Sequence, residues 1–300
     1  MRDETSEAST IRIAAIGDVH ASWDQRDVAY FNRSDYDLLL FVGDLASYAP
    51  GSALRVARSI AQLEKPALVM PGNHDAITLP QLAAEISDTP HLVTWASGGE
   101  ERRRQALAAA LMPVPLVGYS SHQFCFRGRT LTVVAGRPHS FGGDRLAFRP
   151  LMRRAFGVAT LEESAARIKR LLDAAQGEVL LLAHNGPAGL GAQRDSIWGC
   201  DFRRAAGDFG DPDLAGALAY AEQIGKPVRV VLAGHMHHGL RGGGLRRWSV
   251  ERDGTRYINA ARVPRIFSMV ISGRRSLARH HVRILLGPEL TEFEERLVPT

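Results

Sequence analysis

The chain has 300 residues, of which 45% are hydrophobic and 23% charged, with a net charge of +5. This is ordinary globular usage, so disordered, collagen-like and coiled-coil classes are excluded, and at about 150 residues per domain one or two domains fit. No apolar run approaches the ~20 residues of a membrane-spanning helix, and the richest, from Leu107 to Gly118, is broken by Pro113 and Pro115.

The chain opens with MRDETSEAST, polar and acid-bearing, so it lacks a secretory start and the cytoplasm is the expected compartment. From Ile11 to about Pro90 a pattern repeats three times: a short apolar run, a turn rich in Gly and Asp, then a helix-like stretch. The runs are 11–16, 38–42 and 67–70, and the stretches near 23–31 and 52–63 show helical spacing. Short continuous apolar runs fit strands buried on both faces, and their alternation with helices predicts βαβ units and a parallel sheet. Residues 91–130 are less regular and are expected to form a cap or insertion. Within them, Arg127-Gly128-Arg129 marks a hairpin turn.

Helices near 161–175 and 214–224 lead into apolar runs at 179–182 and 228–232, and strand candidates follow near 257–259, 265–271 and 281–286. The expected fold is α/β: two packed, mostly mixed sheets flanked by helices, as one domain. Cys125 and Cys200 allow at most one disulfide and are expected to be buried thiols. Of the 37 basic residues, 34 are arginine. Arginine suits phosphate, yet the Arg pairs are scattered along the chain, so charge alone decides nothing.

In open α/β sheets ligands gather beyond the C-terminal strand ends. There the sequence places Asp18 and His20, Asp44, Asn73-His74-Asp75, His184, and finally His235 and His237. Carboxylate, imidazole and amide oxygen without thiolate suit Mn²⁺, with Fe or Zn²⁺ as alternatives, in a catalytic centre. Seven ligands exceed the needs of one ion and fit two sharing a bridging carboxylate. Two ions about 3.5–4 Å apart can activate a bridging hydroxide for in-line attack at phosphorus. The glycines before Asp18, Asp44, Asn73 and His235 are expected to permit sharp turns.

The ordered series D-x-H, G-D, G-N-H-D, H and G-H-x-H resembles the calcineurin-like metallophosphoesterase superfamily over Asp18 to His237. The resemblance implies one ion held by Asp18, His20, Asp44 and His237, and the other by Asp44, Asn73, His184 and His235, with Asp44 bridging. It places His74 beside the phosphate as transition-state stabiliser and acid for the leaving oxygen. Gly136-Arg137-Pro138, Ala183-His184-Asn185-Gly186-Pro187 and Gly210-Asp211-Pro212-Asp213-Leu214 are also similar to a smaller bacterial and plastid-type subgroup. The G-D-x-x-D-R-G extension of protein serine/threonine phosphatases is missing, since Leu45-Ala46-Ser47 follows Asp44.

A phosphate clamp must therefore come from elsewhere. Arg137 is the candidate, with a surface loop arginine as the alternative. Asn185 either touches substrate or shapes the turn before Pro187. Asp75 either orients a ligand or caps the following helix, His238 is expected at the rim, and Trp23 in helix packing. Asp208, Asp211 and Asp213 are expected as N-terminal helix carboxylates, and Arg102 to Arg104 as a solvated face. His91, His122, His139, His280 and His281 are read as surface or structural. The expected function is metal-dependent hydrolysis of a phosphate monoester or diester, with a nuclease acting on DNA or RNA as the alternative and a non-catalytic scaffold as a third reading. Substrate, metal pair and oligomeric state are left open.

Overall fold

The computed structural model describes residues 9–47, 49, 51–203, 207–271 and 273–299. Residues 1–8 of the polar start, Tyr48 and Arg204 lie outside the described residues. In chain order the strands are β1 (Ile11–Ile16), β2 (Leu38–Phe41), β3 (Ala67–Val69), β4 (Ser120–Phe126), β5 (Arg129–Ala135), β6 (Glu178–Leu182), β7 (Val228–Ala233), β8 (Ser249–Arg252), β9 (Thr255–Asn259), β10 (Ile266–Ile271), β11 (Arg274–Leu286) and β12 (Thr291–Pro299). The helices are α1 (Gln25–Arg33), α2 (Ser52–Ile60), α3 (Leu79–Ile86), α4 (Pro90–Ala96), α5 (Glu100–Leu111), α6 (Arg149–Phe156), α7 (Leu161–Ala174) and α8 (Pro212–Gln223).

One sheet runs β10-β11-β1-β2-β3, with β12 also on β11; the other runs β4-β5-β6-β7-β9-β8. Strands β1, β2 and β3 are parallel, as are β5, β6, β7 and β9. The expected mixed α/β architecture of two sheets flanked by helices is therefore the observed one. The sheets pack face to face: Ile13, Ala15, Leu40 and Val42 from the first meet Val133, Leu180, Leu182 and Val230 from the second in one buried cluster. Alternate residues of the same strands face outward. Ile16, Leu39 and Phe41 pack on α1, α2 and α5, while Val134, Leu181 and Val231 pack on α7 and α8. This double coverage is why the strands read as continuous apolar runs.

Local signals set the helix starts. Asp24 and Asp27 form a reciprocal capping box on α1, and Thr160 caps α7. Residues 91–130 divide: α4 and α5 are helical, with Leu107 and Leu111 buried beneath α5, whereas β4 is the edge strand of the second sheet. The β4–β5 turn is the expected hairpin, with positive φ at both Arg127 (52°) and Gly128 (76°). Cys125 corrects the buried-thiol expectation: it is exposed, because β4 at the sheet edge alternates half-buried and exposed residues, whereas Cys200 is buried. Among the described residues no helix is long and apolar enough to cross a membrane.

Candidate metal centre

Five parallel strands end at one rim. The loops beyond β1, β2, β3, β6 and β7 carry Asp18 and His20, Asp44, Asn73 and His74, His184, and His235 and His237 respectively. Three of these residues hold a left-handed backbone that non-glycine residues seldom adopt: His20 (φ 41°), Asp44 (48°) and His235 (68°). Such strain persists where surrounding structure over-determines it, typically at functional sites. The glycines act differently from the expectation. Only Gly43, at φ 113°, needs glycine for its dihedral. Gly17, Gly72 and Gly234 are there for closeness: a Cβ would lie 1.8 Å from the Ala260 carbonyl oxygen, 2.1 Å from Asp44 Oδ1 and 2.4 Å from Asp18 Oδ1 respectively.

The rim gathers two groups whose ligand atoms lie within 4.8 Å of one another: Asp18, His20 and His237, and Asp44, His184 and His235. In the first, His237 Nε2 stands 3.4 Å from Asp18 Oδ2 and 3.3 Å from His20 Nε2. In the second, Asn73 Oδ1 stands 2.8 Å from both His184 Nε2 and His235 Nδ1. Asp44 lies between them, with Oδ2 3.7 Å from His20 Nε2 and Oδ1 3.6 Å from His184 Nε2. His74 stands edge-on to His20, ring centroids 5.3 Å apart.

The donor chemistry fits cations. His184 Nδ1 lies 2.7 Å from the Val42 carbonyl oxygen, and His20 Nδ1 lies 3.2 Å from that of Ala46. A carbonyl only accepts, so each Nδ1 carries a proton and each Nε2 faces the cluster. The pattern is that of metal-bound imidazoles held by an outer hydrogen bond. His184 Nε2 faces the Asn73 carbonyl oxygen at 2.8 Å, and a cation between them would take both atoms as ligands. Asp18 Oδ2 is likewise buried without a hydrogen-bond partner.

Electrostatics agree. Burial by itself raises Asp18, but His237, His184 and His20 more than reverse this and hold its carboxyl well below the usual range. Asp44 is also lowered, burial being outweighed by His184, His74 and His20. Burial pushes His235 down to about 3 and lowers His74. His184 is raised because Asp44 and Asp18 outweigh its burial. Both carboxylates are thus charged at neutral pH, and the ring of His235 is neutral, as metal ligands must be.

Residues 11–239 match the family model of calcineurin-like phosphoesterases. The chain belongs to that family. It is a family of binuclear metal centres, and the two groups at the rim are this member's candidate metal-binding residues. This calcineurin-like phosphoesterase is similar in fold to a putative 5′-nucleotidase from Staphylococcus aureus, with 12% identity, TM-score 0.50, and coverage of 97% of this chain and 54% of that one. It also matches a dimetal phosphatase from Danio rerio, with 11% identity, TM-score 0.49, and coverage of 96% and 98%. A further solved chain aligns over 96% of this chain and 99% of its own, with 10% identity and TM-score 0.52. No curated protein matches the sequence.

All seven expected ligands and His74 meet at the rim, but the expected substrate contacts do not. Arg137 has only 1% of its surface exposed; its Nη2 stands 2.7 Å from Asp211 Oδ1 and its Nε 3.1 Å from Asp213 Oδ2. Its guanidinium is committed to buried carboxylates, so the structure corrects the phosphate-clamp expectation. Asn185 is fully buried and donates through Nδ2 to the Phe209 carbonyl (2.9 Å) and Asp211 Oδ1 (3.1 Å), which makes it a link between the His184 turn and the Arg137 network. Asp211 and Asp213, expected to favour a helix start, are the counter-charges of Arg137, and the Asp211 side chain caps no backbone N–H.

Asp75 does not cap a helix. It accepts the backbone N–H groups of Ala46 (3.0 Å) and Gly72 (2.9 Å), tying the Asp44 loop to the Asn73 loop. His238 is buried, not at the rim, with Nε2 2.8 Å from the Asn259 carbonyl oxygen. Trp23 packs as expected, stacked on Phe31 at 5.6 Å. Arg103 departs from the solvated-face reading: its guanidinium donates to the carbonyls of Ala76 and Gly98 (both 2.8 Å). His139, read as surface or structural, is buried with Nδ1 2.9 Å from the Gly72 carbonyl oxygen, a role that no spacing in the sequence signals.

Proposed function

We propose that this phosphoesterase hydrolyses a phosphate monoester or diester at a two-ion centre, one ion held by Asp18, His20, Asp44 and His237 and the other by Asp44, Asn73, His184 and His235. The observation that carries this reading is the Asp44 carboxylate, which turns one oxygen toward His20 of the first group and the other toward His184 of the second. When bound, two divalent ions supply an activated water and charge stabilisation for in-line displacement. Oxygen and imidazole donors without thiolate favour Mn²⁺, with Fe or Zn²⁺ as alternatives. Both sheets contribute ligands, which supports a single catalytic domain.

His74 is the proposed catalytic residue. Burial lowers its imidazole, and the negative charge of a bound phosphate ester counters that and favours the protonated ring. The ring then stabilises the phosphoryl oxygens and delivers its proton to the leaving oxygen. Asp75 acts behind it by holding the Asp44 and Gly72 loops together. A nuclease reading rests on the arginine excess and the basic pI near 9.5, and two arginines near the site are held internally: Arg137 by Asp211, and Arg246 by Asp201 and the carbonyls of His237, Arg194 and Ser196. A flat salt dependence of oligonucleotide binding removes that reading.

The test is reconstitution of the metal-stripped chain with Mn²⁺, followed by metal analysis and an aryl phosphate assay. Two equivalents of metal and metal-dependent turnover are expected. Asp44→Ala and His74→Ala proteins that stay folded and keep the parent activity sink the assignment.

A further inference from the structure

The segment that follows β5 crosses from the second sheet to the first at the metal rim. Gly136 donates its N–H to the Leu182 carbonyl at the end of β6 (2.8 Å), two residues before His184. Arg137 Nη2 and Ser140 Oγ both stand 2.7 Å from Asp211 Oδ1. Between these anchors His139 reaches the first sheet: its backbone N–H donates to the Pro71 carbonyl and its ring Nδ1 to the Gly72 carbonyl, both at 2.9 Å. One residue of the second sheet thus grips the two successive carbonyls that lead into Asn73.

His139 is buried, and its φ of 54° is a left-handed backbone that costs a non-glycine residue energy and persists where the surroundings fix it. Burial pushes its imidazole down to about 4. At neutral pH the ring is therefore neutral, and since a carbonyl only accepts, its one proton sits on Nδ1. Nε2 is buried without a hydrogen-bond partner among the described residues, so an apolar ring of similar shape would fill this space without stranding a polar atom. What the histidine adds is the bond to Gly72.

That bond bears on one of the two ion sites. Asn73 comes from the first sheet, whereas His184 and His235, whose ring nitrogens stand 2.8 Å from Asn73 Oδ1, come from the second. Asp75 ties Gly72 to Ala46 within the first sheet. The His139 bonds tie the same loop across to the second sheet, at the peptide unit that leads into Asn73. We propose that His139 is a positioning residue for Asn73, and that through the Gly72 carbonyl it sets the affinity for the ion held by Asp44, Asn73, His184 and His235 without affecting the other ion. This rests on the two-ion reading above.

The test is calorimetric binding of Mn²⁺ by the metal-stripped full chain. The parent should take up two equivalents in two steps, and Asn73→Ala marks the step that belongs to its site. His139→Phe keeps an aromatic ring and removes the N–H, while the Gly72 carbonyl still accepts the Asp75 N–H at 3.1 Å. It should weaken the Asn73-dependent step by about 10- to 100-fold, the usual cost of losing a hydrogen bond behind a metal ligand, and leave the other step within about twofold. His139→Asn offers an N–H from a similar place and tolerates a left-handed backbone, so it should bring the affinity back toward that of the parent. Added to Asn73→Ala, His139→Phe should cost nothing further. Should His139→Phe not fold in chelator, His139→Ala, which adds no bulk, takes its place. Parental affinity at both steps in the folded variant, or equal weakening with and without Asn73, overturns the positioning role alone. A parent that binds fewer than two equivalents overturns the two-ion reading and the positioning role with it.

Discussion

Asp44 Oδ1 accepts the backbone N–H of His74 at 2.9 Å, so the carboxylate proposed to bridge the ions also fixes the start of the loop that presents the proposed acid. The two roles are separable by substitution. Asp44→Asn keeps an oxygen for that hydrogen bond but removes the charge between the two histidine groups. It should retain the fold, bind less than two equivalents of Mn²⁺ and lose turnover. His74→Ala should keep both ions and lose about 10²- to 10⁴-fold in kcat, the usual contribution of a positioned acid. Metal analysis alongside steady-state assay separates the outcomes, and a His74→Ala protein with parental kcat removes His74 from the chemistry.

Arg137, Asp211 and Asp213 form a buried set in which removing one partner strands the others. Arg137→Met leaves two carboxylates without their cation and should lower the unfolding free energy by about 3–5 kcal/mol. Urea unfolding in the presence of chelator measures this without contribution from bound ions. A phosphate clamp would behave in the opposite way, with parental stability and a raised KM for the ester.

Most of the site was legible in the sequence because its logic is local. Each ligand directly follows a strand, and a strand buried on both faces announces itself as an apolar run, so Asp18, Asp44, Asn73, His184 and His235 could be placed from spacing alone. What could not be read depends on contacts between distant segments. Nothing in Gly136-Arg137-Pro138 shows that a helix start more than seventy residues later supplies carboxylates that bury the guanidinium. Strands β8 and β12 escaped because they are largely half-buried or exposed and rich in charge, and α3 and α4 because they are short and begin at prolines.

Two glycine substitutions separate closeness from flexibility. Gly72→Ala would place its Cβ 2.1 Å from Asp44 Oδ1, so the carboxylate must move and Mn²⁺ stoichiometry should fall below two. Gly216 lies inside α8, and a Cβ there meets nothing within 4 Å. Gly216→Ala should therefore raise stability by about 0.5–1 kcal/mol through the lower entropy of the unfolded chain and better helix propensity. Thermal unfolding and metal analysis on the pair read both effects. Unchanged stoichiometry in Gly72→Ala would mean that the Asp44 loop yields without loss.

His281 is buried on β11 with its Nε2 2.6 Å from the Tyr36 hydroxyl. Burial, reinforced by the charges of Arg265, His280, Arg296 and Arg283, holds its imidazole well below the ordinary value. The folded protein thus keeps this ring neutral where the unfolded chain, with a histidine pKa near about 6.5, takes up a proton. Since the unfolded state binds more protons below that pH, stability is full above it and falls on acidification by about 1.4 kcal/mol per pH unit for one such histidine, down to the folded value. His281→Gln keeps an oxygen that can accept from Tyr36 but cannot titrate. Urea unfolding in chelator at about pH 7.5 and about pH 5.5 should show the parent losing more stability than the variant. Equal losses in the two proteins would mean that His281 is not held neutral by the fold.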